Sequence, residues 1–442
     1  MENAEGYSNL VLDQLLRESG LSHRDKSFAS VLFYGVLERR LTLDTMIAPY
    51  IPRGLASVET EILMILRMSF YQLSYMDGVE DFAAVHEGVA LCQLTKRKSA
   101  GGFVNAVLRS FIRDGKPLRL PDPKQDPESY YSLLYSCPRW LVAQFAADYG
   151  WDAAIRICEA SIGKPPLFVR VNTTRISAEA LAESFRSSGI DVSVHPYLPG
   201  CLRLNEAGGV AESPQYRDGL FHVQDLSSQI CAAVASSFAG KLIFDVCAAP
   251  GGKTFSIAQA CPQSHIQAFD LHQNRVRLIQ QGAKRLGLGN VEAKQADASQ
   301  FDPDLGQADV VLCDAPCSGL GILRRKPEIK YKTENALKGL PGVQYRILSN
   351  VSRYVREGGV LIYSTCSISK AENEQVTARF LKEHPFFVPQ PLPAFLEKFH
   401  QEKNQLRTEN TITFLPGAEN QDQDTDGFYI AVLQRKEAGM QK

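Results

Sequence analysis

Long hydrophobic runs are missing from this sequence of 442 residues. No stretch of 18 apolar residues occurs, which excludes a membrane-spanning helix of ordinary length. The N-terminus, Met1–Glu5, is acidic, whereas a secretory signal begins with a basic segment and continues with an apolar one. We therefore expect a cytosolic protein.

Cysteine pairs with the spacing of metal ligands are also missing. The ten cysteines are scattered, and no C-x-x-C pair is present. The nearest two, Cys313 and Cys317, have no histidine close by. The sequence thus predicts no metal site. Thiols that stay reduced in the cytosol leave individual cysteines free for chemistry.

Charge of one sign is not in excess, because the formal net charge is −1. This balance gives no overall support to a nucleic-acid partner, although binding follows local patches rather than the sum. Two basic clusters occur, Lys96–Lys98 and Arg324–Lys326, the latter followed by Lys330 and Lys332. A solvated face explains the first cluster as well as function does. The second lies in a loop beside the candidate site described below, which favours function.

Hydrophobic residues make up 44% of the chain, enough for about three domains of roughly 150 residues each. We predict an all-α domain over residues 1–127, whose proline-rich end from about residue 116 is a linker. A small α+β domain over residues 128–219 follows, as a platform for RNA or a structural spacer. Residues 220–442 form an α/β domain.

The α/β prediction comes from short apolar runs separated by stretches long enough for helices. These runs are Leu242–Val246, Ile266–Phe269, Val310–Leu312 and Val360–Tyr363. The alternation is typical of a doubly wound parallel sheet, which binds ligands at the carboxyl ends of its strands. Near the C-terminus, Thr411–Phe414 and Asp426–Leu433 alternate like a hairpin that extends the sheet.

A glycine turn joins the first of these strands to a helix, within the stretch Asp245–Thr254. Such a turn lets a ligand approach the backbone, and the helix N-terminus attracts an anion. The ending Gly252-Lys253-Thr254 is that of a phosphate-binding P-loop and allows an ATPase, but Cys247 replaces the first glycine of that pattern. The alternative is a Rossmann-like methyltransferase that binds S-adenosylmethionine, with Asp270 on the ribose.

Two cysteines follow separate strands. Cys317 lies in Asp314-Ala315-Pro316-Cys317-Ser318-Gly319, and Cys366 lies in Tyr363-Ser364-Thr365-Cys366-Ser367. Because parallel strands end at the same edge of a sheet, we expect both thiols to face one pocket. An isolated cysteine is more often a buried core thiol than a nucleophile. The polar turns around these two, at the ligand-binding edge, favour chemistry.

These motifs carry a resemblance. The stretches Cys247–Thr254, Asp314–Gly321, Arg324–Glu328 and Tyr363–Ile368 resemble, in this order, the motif set of RNA 5-methylcytosine methyltransferases. The N-terminal stretch Gly101–Arg109, with Phe33–Val36, resembles the NusB type of helical RNA-binding module. Together they are similar to the RsmB (Sun or Fmu) branch, which modifies 16S ribosomal RNA. The resemblance covers nearly the whole chain.

The resemblance implies a class I methyltransferase that uses S-adenosylmethionine and acts on 16S rRNA, free or in an assembly intermediate of the small subunit. It implies that Cys366 adds to C6 of the cytosine and that Cys317 assists breakdown of the adduct. The residues that the resemblance assigns to the cofactor are Cys247, Ala248, Ala249, Pro250, Gly251, Gly252, Lys253, Asp270, Asp297 and Asp314, the last also within reach of the base. We expect a monomer. A non-catalytic RNA-binding or antitermination factor is a further alternative, for which the N-terminal module suffices.

Overall fold

The computed structural model describes residues 8–205, 209–399 and 404–437, so the acidic stretch Met1–Glu5 lies outside the described residues. The chain forms two compact units. Unit 1 holds the chain up to Gly163 together with the segment Leu323–Lys332, and unit 2 holds the remainder. The domain boundaries given above stay predictions. In the described part of the chain, no helix combines the length and apolar character needed to cross a membrane.

Unit 1 is helical, as its apolar periodicity predicts. Its helices are α1 Ser8–Glu18, α2 His23–Glu38, α3 Arg40–Ile47, α4 Thr60–Tyr75, α5 Asp81–Cys92, α6 Gly101–Arg113, α7 Pro127–Leu134, α8 Arg139–Tyr149 and α9 Trp151–Ala160. Helix α2 begins at a capping box, in which Ser22 Oγ accepts a hydrogen bond from the Asp25 N–H. Phe70 of α4 stacks on Phe111 of α6 at 4.2 Å between ring centroids, in the core of the unit.

The segment Leu323–Lys332 carries most of the second basic cluster, and it packs within unit 1. Lys330 is fully buried, and its Nζ donates to the carbonyl of Tyr135 at 3.3 Å. Burial lowers the pKa of this ammonium group. The Tyr331 hydroxyl donates to the carbonyl of Leu37 at 2.8 Å. The prediction that this cluster acts at the candidate site is therefore wrong for Lys330, because a fully buried ammonium group cannot contact RNA.

The first part of unit 2 is a small α+β module, which confirms the prediction for this region. Its elements are β1 Leu167–Val171, α10 Ala178–Ser187, β2 Asp191–Val194, β3 Cys201–Asn205, α11 Pro214–Arg217 and β4 Phe221–Val223. The strands form an antiparallel sheet in the order β2-β3-β1-β4. Leu181 and Phe185 of α10 are fully buried against this sheet.

The second part of unit 2 is built on a larger mixed sheet. Its elements are α12 Leu226–Ser236, β5 Leu242–Asp245, α13 Gly252–Ala260, β6 His265–Asp270, α14 Gln273–Leu286, β7 Val291–Gln295, β8 Ala308–Asp314, α15 Glu334–Leu337, α16 Leu340–Val351, β9 Val355–Thr365, α17 Glu374–Glu383, β10 Phe387–Pro389, β11 Gln405–Arg407, β12 Thr411–Phe414 and β13 Phe428–Arg435. The order is β11-β12-β13-β9-β8-β5-β6-β7, and β10 pairs with β13. The predicted parallel strands and the C-terminal hairpin are confirmed.

Strand order reverses beside β5, and this reversal locates the ligand crevice. β5 pairs in parallel with β6 on one side and with β8 on the other. The chain therefore runs from β5 to β6 and β7 on one side and then crosses to β8 on the other side. A crevice opens at the carboxyl ends of the strands where such a reversal occurs. Asp245, Asp270 and Asp314 each end one of these three strands. The apolar residues of the strands alternate between two cores, one on each face of the sheet.

Candidate active site

The glycine turn after β5 adopts a conformation that only glycine tolerates. Gly251 has φ +109°, and a Cβ added there would lie 2.4 Å from the Phe255 ring. The turn is fixed because the Ala248 N–H donates to the Phe269 carbonyl at 2.8 Å. Helix α13 starts at Gly252, so the unpaired N–H groups of its first turn lie at the crevice. This arrangement favours a bound anion.

Asp245 ends β5 and contributes a buried carboxylate that the sequence analysis did not assign. Its Oδ2 accepts from the Thr254 hydroxyl at 2.6 Å. Its Oδ1 is buried and has no hydrogen-bond partner among the described residues. Burial raises the pKa of this carboxyl group to about 7. A buried oxygen without a partner is what the donor group of a ligand satisfies, and the position of Asp245 at the strand end was the available signal.

Lys253 points from α13 to Asp314 rather than remaining unpaired. Its Nζ lies 2.7 Å from Asp314 Oδ2, and the Lys253 side chain is only 12% exposed. Burial alone would lower the pKa of this ammonium group, but the charge and hydrogen bond of Asp314, together with Cys231 and Cys366, raise it overall. The other Asp314 oxygen accepts from Ser364 Oγ at 2.8 Å. A P-loop lysine must neutralise phosphate, so this ion pair disfavours the ATPase alternative.

Asp270 is brought to the glycine turn, whereas the hydrogen bonds of the Asp297 side chain to described residues are local. Asp270 is buried and accepts from the Ala249 N–H at 3.2 Å, and Arg275 lies 3.5 Å from it. Asp297 follows β7 on the surface, where its Oδ1 accepts from the N–H and the hydroxyl of Ser299 at 2.8 and 2.7 Å. The end of β6 is thus tied to the turn after β5.

The structure brings the two singled-out thiols together. Cys317 Sγ lies 3.2 Å from Cys366 Sγ, because the parallel strands β8 and β9 end side by side. The Ala315 N–H donates to the Ser364 carbonyl at 2.9 Å and continues the pairing beyond β8. The hydrogen bond with Cys366, together with burial, raises the pKa of the Cys317 thiol well above its usual value. The raised pKa favours the protonated form of Cys317, and the contact allows a hydrogen bond between the two sulfurs.

Cys247 lies in the glycine turn after β5 rather than at the ends of β8 and β9. Burial raises the pKa of its thiol, and the nearby carboxylates of Asp245, Asp314 and Asp270 raise it further. A thiol held neutral is a poor nucleophile. Cys247 is therefore suited to shaping the turn rather than to attacking a substrate.

Two glycines allow the loops around the thiols to approach. Gly321 N–H donates to the Cys366 carbonyl at 2.9 Å, and Gly427 N–H donates to the Gly321 carbonyl at 2.8 Å. A Cβ added at Gly321 would lie 2.0 Å from the Gly427 oxygen and 2.8 Å from the Cys366 oxygen. The backbone contact needs glycine at position 321 because there is no space for a Cβ. The approach of both thiol loops to Gly427, which precedes β13, therefore depends on Gly321.

A buried glutamate also joins the two thiol loops, and the sequence analysis did not assign it. Glu372 accepts hydrogen bonds from Ser318, which follows Cys317, and from Ser367, which follows Cys366. Its position six residues after Cys366 was the available signal, because Ser318 and Gln344 are distant in sequence.

Comparisons with known proteins give matches over most of the chain. The family model described as 16S rRNA methyltransferase RsmB/F matches residues 235–434. The NusB family model matches residues 1–113, and a model for the ferredoxin-like domain of RsmF/B-like methyltransferases matches residues 137–211. The N-terminal and middle regions thus match models of their own.

Whole proteins match as well. The probable ribosomal RNA small subunit methyltransferase B of Bacillus subtilis (strain 168) is 34% identical over 443 residues, covering 99% of this chain and 96% of that protein. Ribosomal RNA small subunit methyltransferase B of Klebsiella pneumoniae is 32% identical and covers 87% of each chain. The crystal structure of PH0851 shares the fold, with a TM-score of 0.79 at 23% identity over 96% of this chain and 93% of that one. NSun6 from Pyrococcus horikoshii, solved with SFG, has a TM-score of 0.61 at 23% identity over 69% of this chain and 100% of its own.

Proposed function

Since this chain belongs to the RsmB/F family of rRNA small-subunit methyltransferases, we propose that it methylates C5 of one cytosine in 16S rRNA through a covalent cysteine adduct. Family membership indicates the reaction, methyl transfer, and the class of substrate, ribosomal RNA. The observation that supports the base and the mechanism is the pair of thiols 3.2 Å apart at the crevice edge. An enzyme that methylates a nucleophilic nitrogen has no use for such a pair.

Two thiols suit this reaction because C5 of cytosine is a poor nucleophile. The Cys366 thiolate forms a bond to C6, and the electron pair displaced from the C5–C6 double bond makes C5 nucleophilic. C5 then takes the methyl group. Loss of the C5 proton to a base returns an electron pair to the ring, breaks the S–C6 bond and regenerates the thiolate. S-adenosylmethionine, when bound, supplies the electrophilic methyl group.

The states of the thiols support this division of roles. Cys317 is held protonated by its hydrogen bond to Cys366 and by burial, which raise its pKa. It therefore donates to the Cys366 sulfur while that sulfur is free, and it stands beside the S–C6 bond once the adduct has formed. We assign attack to Cys366 and assistance in breakdown of the adduct to Cys317.

The crevice fits S-adenosylmethionine. The turn Cys247–Lys253 offers backbone N–H groups to its carboxylate, and the unpartnered Oδ1 of Asp245 offers an acceptor to its ammonium group. NSun6, which shares this fold, was solved with SFG, an analogue of this cofactor. We assign Asp270 to the ribose and Asp297 to the adenine amine. Asp314 fixes Lys253 and lies within reach of either the cofactor or the base.

The first test is transfer of radiolabelled methyl from S-adenosylmethionine to unmodified small-subunit rRNA, followed by nucleoside analysis. We expect label in 5-methylcytidine for the wild type and for the control Cys261→Ala, which removes a partly buried thiol that is not at the strand ends. Cys366→Ala should abolish turnover. Cys317→Ala should accumulate a protein–RNA adduct that survives denaturing electrophoresis.

Each other result has a definite meaning. Label in a nucleoside other than 5-methylcytidine would refute the proposed chemistry. An adduct in Cys366→Ala instead of Cys317→Ala would exchange the two roles.

We further propose that the protein works in the cytoplasm, where ribosomal RNA is modified. Acceptance of label by naked rRNA or only by partly assembled subunits would identify the form of the substrate.

A further inference from the structure

A buried carboxylate connects the two thiol loops. Glu372 is 3% exposed. Its Oε1 accepts from the hydroxyls of Ser318 and Ser367 at 2.5 and 2.7 Å. Its Oε2 accepts from the Ser318 N–H and from Gln344 Nε2, each at 2.8 Å. One side chain thus holds the residue after each thiol, and Gln344 anchors it to α16.

The donors to Glu372 are all neutral, which makes its charge costly. A buried carboxylate without a cation loses several kcal/mol of hydration, and hydrogen bonds return only part of that. A glutamine at this position has a single carbonyl oxygen, and its NH₂ group would face donors. The Ser318 N–H and the Gln344 amide can only donate, and with the two serine hydroxyls they favour a carboxylate over a glutamine at this position. Tyr363, whose hydroxyl donates to the Glu372 carbonyl at 2.6 Å, fixes the backbone too.

We propose that Glu372 is a positioning residue for methyl transfer, whose carboxylate locks the Cys317 loop to the Cys366 loop and keeps the two sulfurs within hydrogen-bonding distance. This inference rests on the proposed function, because it presupposes that the two thiols cooperate. Without the carboxylate, both serines lose a shared acceptor. Among the described residues, the remaining link between Ser318 and Ser367 is then the contact between their hydroxyl groups at 3.0 Å.

The charge of Glu372 has a second effect on the same pair. The pKa of Cys317 is raised first by its hydrogen bond to Cys366, then by burial and the Cys366 charge, and also by the Glu372 carboxylate. Removing this charge allows Cys317 to ionise at lower pH. Cys317 must hold its proton to donate, so the alkaline limb of the pH profile of kcat should move to lower pH.

The test compares the full-length wild type with Glu372→Gln, Cys317→Ala and the double variant. Glu397→Gln is the matched control, because it makes the same chemical change at an exposed position. We expect Glu372→Gln to lower kcat by about a hundredfold, a loss that misplacing a reacting group by about 1 Å can cause. The KM for S-adenosylmethionine should change less than twofold. Part of the protein should accumulate as the RNA adduct, as in Cys317→Ala.

The double variant separates positioning from general weakening. If Glu372 acts through Cys317, adding Glu372→Gln to Cys317→Ala should change the adduct yield little further. Wild-type kcat, pH profile and adduct level in Glu372→Gln would overturn the inference while the proposed function stands. Absence of 5-methylcytidine in the wild type would instead refute the proposed function itself.

Variants of the serines keep the inference testable if Glu372→Gln fails to fold. Ser318→Ala and Ser367→Ala each remove one hydroxyl donor to the carboxylate. Each should show a smaller loss of kcat and a smaller rise in adduct, in the same direction as Glu372→Gln. Wild-type behaviour of both serine variants would overturn the inference.

Discussion

Adding one methyl group at Gly321 should disrupt the thiol pair. A Cβ there would lie 2.0 Å from the Gly427 oxygen and 2.8 Å from the Cys366 oxygen, and both atoms belong to the backbone. No side chain can rotate away to relieve these contacts. Real Cβ atoms essentially never lie within 3.0 Å of another non-bonded heavy atom, so Gly321→Ala must shift a backbone segment by about 1 Å.

The expected magnitude follows from this shift. Overpacking a well-packed site costs roughly 1–3 kcal/mol, and we expect the upper end because only backbone can yield. A loss of about 3 kcal/mol lowers Tm by roughly 6 °C or more in a unit of this size. The Cys366 carbonyl, which accepts from Gly321 at 2.9 Å, moves with the clash. We therefore expect kcat to fall about a hundredfold even where the variant is fully folded.

Gly342→Ala is the matched control. Gly342 lies exposed in α16, and nothing lies within 4 Å of an added Cβ. The same substitution there should stabilise the protein by about 0.5–1 kcal/mol, because alanine favours a helix. Thermal melts and methyl transfer at 25 °C are measured for both variants. If Gly321→Ala matched Gly342→Ala in Tm and kcat, the steric argument would be refuted.

Two further predictions concern buried charges near the glycine turn. Burial raises the pKa of Asp245 from 3.8 to about 7, so the folded state holds this proton more tightly than the unfolded state does. The free energy of unfolding of the wild type should therefore fall by up to about 4 kcal/mol as pH rises from 4 to 7. Asp245→Asn should flatten that dependence in urea melts, and parallel curves would contradict it. Lys253→Met leaves Asp314 unpaired and should cost about 3 kcal/mol, whereas Lys241→Met at an exposed position should change stability by less than about 0.5 kcal/mol in the same melts.

Local patterns were enough to predict the sheet and the meeting of the thiols. Apolar runs of strand length, separated by stretches long enough for crossover helices, predicted β5, β6, β8 and β9. Most of the predicted strand ends lie within a few residues of the observed ends. The exception is β9, which begins at Val355 rather than near Val360. The rule that parallel strands end at one edge then placed Cys317 near Cys366, as observed.

Side-chain partners across large sequence separations were not predictable. Lys253 resembles a phosphate-binding lysine in sequence, and only the fold shows that Asp314, 61 residues later, pairs with it. Glu372 gathers donors that lie 5, 28 and 54 residues away, and no local pattern marks such a set. The charged neighbours of Lys330 in the sequence predict an exposed basic residue, whereas its side chain is buried and its Nζ donates to a backbone carbonyl.

The segment Leu323–Lys332 has a consequence for how the chain is made. Unit 1 begins at the N-terminus, but this part of it leaves the ribosome 169 residues after Gly163. At translation rates of roughly 5–20 residues per second, the delay is about 10–30 seconds. During that interval the nascent helical unit lacks a piece that it later buries, including Lys330. Synthesis of unit 2 must therefore pass beyond its Cys317 loop before unit 1 can complete its packing.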